Sequence, residues 1–253
     1  PTPGPIAVAD IIGVDLGWVI LMGFIAGIPT ALIAGLWFGK HISKKIFVAA
    51  PEEIEEENHP ELPPIAQTLL IIGLPIVLIL LNTIIAAGTF GVTNPIILNI
   101  IALIGHPFSA LIIANLLAWY FFGLRKGFTK EQLLKISTKS LAPAGTIILL
   151  TGAGGVFKQV LTDTGAGELL ATSLSNAGIP ILAFAFISAA IVRIVQGSST
   201  VAMITAAGLV SPLLASTSLN SIELACMVIA IASGASIFSH VNDSGFWLVG
   251  QYL

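Results

Sequence analysis

Apolar positions along this chain fall in blocks too long for a soluble fold, separated by a few strongly polar stretches. Residues 16–39, 65–88 and 106–122 are almost wholly apolar. A helix rises about 1.5 Å per residue, so blocks of this length match a hydrocarbon core about 30 Å thick. Shorter apolar runs follow at 179–194 and 222–238. None of these blocks alternates with period two, so helices rather than strands are expected.

The polar stretches order the blocks. Lys40, Lys44 and Lys45 close the first, and Ala50–Pro64 then carries Glu52, Glu53, Glu55, Glu56, Glu57 and Glu61 among prolines. That charge run reads as a solvated connector over residues 40–64. Arg125, Lys126, Lys130, Lys135 and Lys139 crowd residues 123–140, the connector after the third block. Of the ten Lys and Arg, only Lys158 and Arg193 lie elsewhere. Two spans separate the two basic connectors, so both face one side, and the positive-inside rule makes it cytoplasmic.

Beyond Ser140 the pattern turns irregular. Pro143, Gly145, Gly152, Gly154 and Gly155 dot an apolar run that ends in Lys158-Gln159, and a polar patch with Asp163, Gly165, Gly167 and Glu168 follows. Residues 193–212 then place Arg193, Gln196, Gly197, Ser198, Ser199 and Thr200 in a row between two apolar runs. Lipid penalises every one of them, so protein must bury them or water must reach them. Glycine permits a break there, and Ser198, Ser199 and Thr200 can cap a helix restarting at Val201. Such an N-terminus offers free N–H groups and partial positive charge to an anion. The stretch is expected to be the tip of a re-entrant hairpin that binds a carboxylate. A second polar break covers residues 239–245, from Ser239 to Gly245.

Composition narrows the class. The chain is 56% hydrophobic and 9% charged, with mean hydropathy +1.00, against about 25% charged residues in soluble domains. An all-α integral membrane protein follows. A net charge of −3 and no basic stripe exclude nucleic acid. The lone Cys226 is expected to be buried and inert. Four scattered His and one Cys form no metal constellation, and no cofactor is expected. With no initiating Met, a proline-rich start and an apolar end, the chain is expected to be part of a longer protein. Pro1 to Gly13 and Gln196 to Gly208 also share a layout: a helix-breaking tip, a small-residue helix, then glycine. Transporters with inverted repeats place two broken helices at matching positions.

Four stretches together resemble the gluconate permease (GntP) family. They are Pro1-Thr2-Pro3-Gly4-Pro5, Gly152 to Val160, Arg193 with Gln196 to Ala202, and Ser239 to Trp247. The resemblance runs along the whole chain in the family's order. It implies a bacterial inner-membrane, multi-pass, proton-coupled secondary transporter for gluconate or a related small hydroxy acid, with D-serine as a further option. It also implies paired re-entrant hairpins in two inverted halves, the architecture of the ion-transporter superfamily. The family's N-terminal third and last helix have no counterpart here.

On that basis the chain divides into a first tip and helix (1–15), spanning helices (16–122), the basic connector (123–140) and a second half (141–253). Substrate-binding candidates are Thr2, Gly4, Arg193, Gln196, Gly197, Ser198, Ser199, Thr200, Asn242 and Ser244. Arg193 can grip a carboxylate with two parallel bonds, or form a structural pair with Asp243, or sit at the membrane surface. Asp243 and His240 compete as the proton-coupling group, because a carrier must be able to change charge in the working range. Asp10 and Asp15 are read as helix-end residues near water, His41 and His59 as solvated, and His106 as interfacial. Trp18, Trp37, Trp119 and Tyr120 sit where interfacial anchors do. Lys158 and Gln159 line the pathway or anchor an interface. Expected partners are a small organic acid, protons and the lipid bilayer; self-association into a homo-oligomer stays open. Two rivals remain: a sodium-coupled carboxylate symporter of similar architecture, and an intramembrane enzyme using Ser198 or Ser199.

Overall fold

The computed structural model describes residues 3–46, 63–214, 217–243 and 246, and within them every regular element is helical. Most of the acidic connector, Thr2, His59 and Ser244 lie outside the described residues, as do the side chains of Pro3 and Lys158. The chain forms two compact units, residues 1–53 with 148–253 and residues 54–147.

In the second unit, α4 (Ile65–Ala86) buries Ile71, Pro75, Ile79 and Thr83. Their four-residue spacing makes one stripe, and that stripe packs on α5 (Pro95–Gly105) and α6 (Pro107–Ala118). Leu69, Leu70, Ile72 and Val77 on the other faces are exposed. The α5 helix has no counterpart in the hydrophobic blocks, although its start is written in the sequence. Asn94 accepts a hydrogen bond from the Ile96 N–H at 3.0 Å, with Pro95 in the first turn. His106 repeats the device for α6, its Nδ1 accepting from the Phe108 N–H at 3.3 Å before Pro107. His106 is thus a helix cap. A Cβ on Gly105 would lie 2.4 Å from Asn82 Cβ, so only glycine seats the end of α5 on α4. The last turns of α6 become π-helical at Trp119–Gly123, where Trp119 and Tyr120 are exposed.

Where the apolar pattern turns irregular after Ser140, helix α7 (Lys130–Asp163) runs unbroken through Pro143 and the glycines. Lys130, Lys135 and Lys139 therefore ride on a helix. Gln159 donates to Asp163 Oδ1 at 2.7 Å along its exposed face.

In the first unit, α1 (Pro3–Ile12) ends at Gly13, whose φ of 82° lets the N–H groups of Gly13 and Val14 both reach the Ala9 carbonyl. Asp15 then caps α2 (Leu16–Thr30), accepting from the Gly17 N–H at 2.9 Å, and Asp10 is exposed. The helix continues as a π stretch over Ala31–Phe38 and as α3 (Gly39–Ile42). This rod, Leu16–Ile42, is long and apolar enough to cross a membrane, as are Ile65–Ala86 and Pro107–Lys126. In the most apolar window of the rod only 6% of positions are buried within the protein. Its exposed side chains, among them Ile25, Ile28, Leu32, Ile33, Leu36 and Trp37, are those of a rod suited by length and composition to cross a membrane.

Small residues build the interior of this unit. The helices α9 (Ile181–Gln196), α10 (Ser199–Leu214) and α11 (Ser221–Gly234) bury Ala185, Ala189, Ala202, Ala206, Ala207 and Ala225. Lacking bulk, they let backbones approach closely, which is how helices associate where lipid is as apolar as leucine. At the tightest approach a Cβ on Gly234 would stand 2.1 Å from the Phe186 carbonyl oxygen. The most enclosed helix is α10, packed by α1, α8 (Ala166–Asn176), α9 and α11. Pro212 lies inside it, so the helix break is confined to Gly197 and Ser198 rather than extending to residue 212. Cys226 is exposed rather than buried, because α11 turns Ala225, Met227, Val228 and Ile231 inward.

The two stretches of shared layout do meet, in an unexpected sense. A Cβ on Gly4 would lie 2.8 Å from Met203 Sδ and 3.8 Å from Thr200 Cα, while at the far end Ser211 Oγ donates to the Ile11 carbonyl at 3.0 Å. So α1 and α10 run side by side in the same direction. A two-fold axis in the membrane plane would oppose them. Their likeness is a shared way of starting a helix and not the inverted pairing expected from it.

Two glycines test this packing. Gly234→Ala is expected to lower stability by about 1–3 kcal/mol, the usual cost of overpacking. Gly27→Ala, with nothing within 4 Å of the added carbon, is expected to be neutral or stabilising. Thermal unfolding in detergent reads both; equal behaviour would refute the close α9–α11 approach.

Candidate functional site

Helix α9 ends at Gln196 because Gly197 adopts a left-handed conformation, φ 74°, with its N–H on the Arg193 carbonyl at 2.8 Å. Ser198 opens α10: its carbonyl accepts from Ala202 at 3.0 Å and its hydroxyl from the Val201 N–H at 3.4 Å. The restart is thus at Ser199, two residues before the expected Val201, so Ser199 and Thr200 occupy the first turn and Ser198 alone caps. Among the described residues the N–H groups of Ser199 and Thr200 have no protein acceptor. These are the donors a helix N-terminus leaves free.

Arg193 sits in the last turn of α9, where a cation complements the helix dipole. Its side chain is 6% exposed, and that of its ion-pair partner Asp243 is 14% exposed. Nη1 donates to the Gly197 carbonyl and Nη2 to Asp243 Oδ2. Nε is buried and has no partner. Of the readings open for Arg193 from sequence, burial disposes of the membrane surface. The pair with Asp243 forms, and the unused Nε leaves the guanidinium able to bind more.

Residues 239–243 fold over the end of α9. Asn242 Nδ2 donates to the Ile194 carbonyl at 2.9 Å, and His240 Nε2 lies 3.0 Å from the same oxygen. A carbonyl can only accept, so His240 donates from Nε2. Ser239 Oγ donates to Asp243 Oδ2. Together these groups satisfy carbonyls that the end of α9 leaves open. Gly197 lies directly beneath: a Cβ there would be 2.2 Å from the Asn242 carbonyl oxygen.

Of the residues singled out in the sequence, the structure gathers Gly4, Arg193, Gly197, Ser198, Thr200, His240, Asn242 and Asp243 around one break. Gln196 is exposed, and Thr2 and Ser244 lie outside the described residues. Missed from sequence was Ser239, whose only signal was its place in the 239–245 break. Chemically, the described residues bring together a buried guanidinium with an unused Nε, the free N–H groups in the first turn of α10 and the hydroxyls beside them, groups of the kind that stabilise an anion.

The model of the GntP family permeases matches residues 1–253. The chain is 42% identical over 254 residues to the low-affinity gluconate transporter of Escherichia coli strain K12. It is 40% identical over 257 residues to a gluconate permease of Pseudomonas aeruginosa. Over 256 residues it is 36% identical to the Gnt-II system L-idonate transporter of Escherichia coli strain K12. All three alignments cover 100% of this chain and 56%, 56% and 57% of the respective relatives, so the chain spans little more than half of their length. No solved structure matches. The chain belongs to the GntP permease family.

Gly197→Ala is expected to destabilise this site by at least about 1–2 kcal/mol, the cost of left-handed backbone for a residue with a Cβ, with the clash against Asn242 added. Asn242→Ala removes only a hydrogen bond and is expected to cost about 0.5–1.5 kcal/mol. Melting in detergent that ranks Asn242→Ala as the worse would contradict this geometry.

Proposed function

We propose, from its membership of the GntP permease family, that this chain bears the substrate seat of a secondary active transporter in the bacterial inner membrane. The protein moves gluconate or a related small hydroxy acid inward together with protons. The observation that carries the reading is the buried Arg193 at a helix break, its Nε without a partner, beside the free N–H groups that start α10. A carboxylate is the ligand such a site stabilises best, through charge-assisted bonds to a planar fork and through a helix N-terminus.

The substrate carboxylate sits on Arg193 and the N–H groups of Ser199 and Thr200. The hydroxyls of Ser198, Ser199 and Thr200, with Gly4 of α1 beside Thr200, address the hydroxyl groups of the sugar acid. Gln196, exposed at the end of α9, is placed at the rim, and Thr2 and Ser244 remain candidates on the family resemblance alone. The relatives carry the names of gluconate and L-idonate transporters, and both substrates are polyhydroxylated monocarboxylates. Asp243 is the coupling group in preference to His240, whose Nε2 proton is committed to the Ile194 carbonyl. That commitment also weakens the enzyme reading, since a serine nucleophile needs a free base.

The rods Leu16–Ile42, Ile65–Ala86 and Pro107–Lys126 provide membrane crossings, with the basic stretches around residues 40–45 and 125–139 on the cytoplasmic side. Re-entrant hairpins in inverted halves, rocking to give alternating access, remain part of this proposal on the strength of the family resemblance. The α1–α10 pair lends them no support.

Labelled gluconate uptake into vesicles holding the intact protein tests the reading. Accumulation is expected to follow a pH gradient without sodium, and a strict sodium requirement would replace protons as the coupling ion. Arg193→Ala, Arg193→Lys and Ser199→Ala are expected to reduce uptake at least about tenfold, the loss of one strong polar contact being worth at least about 1.4 kcal/mol. Membrane insertion should survive. Full uptake in all three would remove this site.

A further inference from the structure

We propose that the elbow joining α6 to α7, residues 119–141, docks an anionic phospholipid, its phosphate on the basic side chains and its acyl chains against the exposed leucines. This adds a partner to the membrane reading and stands apart from the substrate seat.

The elbow is held in one shape. Gly127 turns the chain with a φ of 83° after the short helix Leu124–Lys126. Thr129 and Gln132 then cap α7 reciprocally. The Thr129 N–H donates to Gln132 Oε1 at 2.8 Å, and the Gln132 N–H to Thr129 Oγ1 at 3.3 Å. Leu133 is buried on Gly123, where a Cβ would lie 2.7 Å from its Cδ2. The start of α7 is thereby pinned to the end of the crossing rod Pro107–Lys126.

Charge on this elbow is one-sided. Residues 119–141 carry Arg125, Lys126, Lys130, Lys135 and Lys139 against one carboxylate, Glu131. All six are exposed. The helices α4, α5 and α6 of the same unit carry no titratable side chain that could balance them. The Arg125 guanidinium lies over the Phe121 ring, 5.7 Å from the centroid, which steadies a planar fork suited to phosphate oxygens. Lys135 and Lys139 are one turn apart and share a face. About four to eight cations beside a membrane crossing is the density at which anionic headgroups are recognised.

The apolar side chains decide which anion fits. Leu134 and Leu141 are each 65% exposed and lie on a different side of α7 from Lys135 and Lys139. Trp119 and Tyr120, exposed at the end of the crossing rod, are residues that favour headgroup level. Free phosphate or an acidic peptide would satisfy the cations and leave the leucines in water. A phospholipid satisfies both, as it does for an amphipathic helix lying in the interface. Neutralisation of the elbow by the acidic connector of residues 50–64 is the competing outcome, and it would abolish any preference for anionic lipid.

The test titrates the intact protein, in an uncharged detergent, with phosphatidylglycerol, phosphatidylcholine or inorganic phosphate, and reads the melting temperature. Phosphatidylglycerol is expected to raise it saturably, and the other two are not. Lys135→Gln with Lys139→Gln is expected to weaken phosphatidylglycerol binding about 25-fold, at about fivefold for each cation removed. Arg125→Gln alone is expected to weaken it about fivefold by the same reckoning. Leu134→Gln is expected to weaken it as well, which loss of charge alone cannot explain. Binding should also fall as salt rises from about 0.1 M to about 1 M, where the screening length shrinks from about 10 Å to about 3 Å. Equal stabilisation by phosphatidylcholine, stabilisation by inorganic phosphate alone, or undiminished binding in the double variant and in Arg125→Gln overturns the proposal. Lys44→Gln with Lys45→Gln, a basic pair outside the elbow, is the control, and a loss there as large as at the elbow overturns it too.

Discussion

A guanidinium held away from water needs acceptors, and Arg193 finds them for Nη1 and Nη2 in the Gly197 carbonyl and Asp243. Breaking a buried ion pair by removing one partner costs about 3–5 kcal/mol, whereas an apolar replacement for both partners is often neutral. The pair with Asp243 is therefore weak ground for stability and strong ground for specificity. It requires residues 239–243 to lie across the end of α9, and it requires a glycine at 197 for that segment to rest on. The break in the helix, the left-handed residue and the overlying strap are three consequences of keeping one cation buried and solvated by protein.

The setting makes this affordable. Outside, the long rods expose leucine, isoleucine and phenylalanine along most of their length, as chains do when their solvent is lipid. Inside, the helices around the break approach through alanine and glycine, so that α1, α9, α10 and α11 enclose the break without bulky side chains to fill it. Lipid-facing bulk and core-facing smallness reverse the pattern of a soluble bundle. They also leave the break as one of the few places where polar groups gather inside.

How much of this could be read from the sequence depends on what kind of signal each feature leaves. The break at Gly197 and Ser198 was legible because polar residues in an apolar run have no cheap alternative. The crossing rods were legible from length alone. Helix α5 was not, since eleven residues with Asn99 among them fall below any spanning threshold, and its Asn94-Pro95 start signal gains meaning only beside the His106-Pro107 start that follows. Helix α7 left a mixed signal, because Pro143 and a cluster of glycines interrupt the apolar pattern on paper, while in the folded chain the helix continues through them. The restart of α10 was placed two residues late, within the usual uncertainty of a helix end. Pairing of Arg193 with Asp243 was one of several open readings: fifty residues apart, they are joined only by tertiary structure. The direction of α1 relative to α10 left no mark at all in the sequence, because a shared way of beginning a helix says nothing of which way its partner points.

The same separation in sequence bears on how the site can work. Gly4 comes from near the start of the sequence, and Arg193, Thr200 and Asp243 come from its last quarter, and each meets a neighbour from another segment. Ser211 ties α1 to α10 at the far end from the break, so a shift of α1 along α10 would be felt at Gly4 and Thr200 as a change in how closely α1 approaches the first turn of α10. Under the proposed reading, a carboxylate held there resists their separation, and an empty site does not. A ligand moves an equilibrium only by its differential affinity for the two states. A proposed seat assembled from α1, α9, α10 and the 239–243 strap is suited to supply that difference, because relative motion of these parts would change the number of donors an anion could reach.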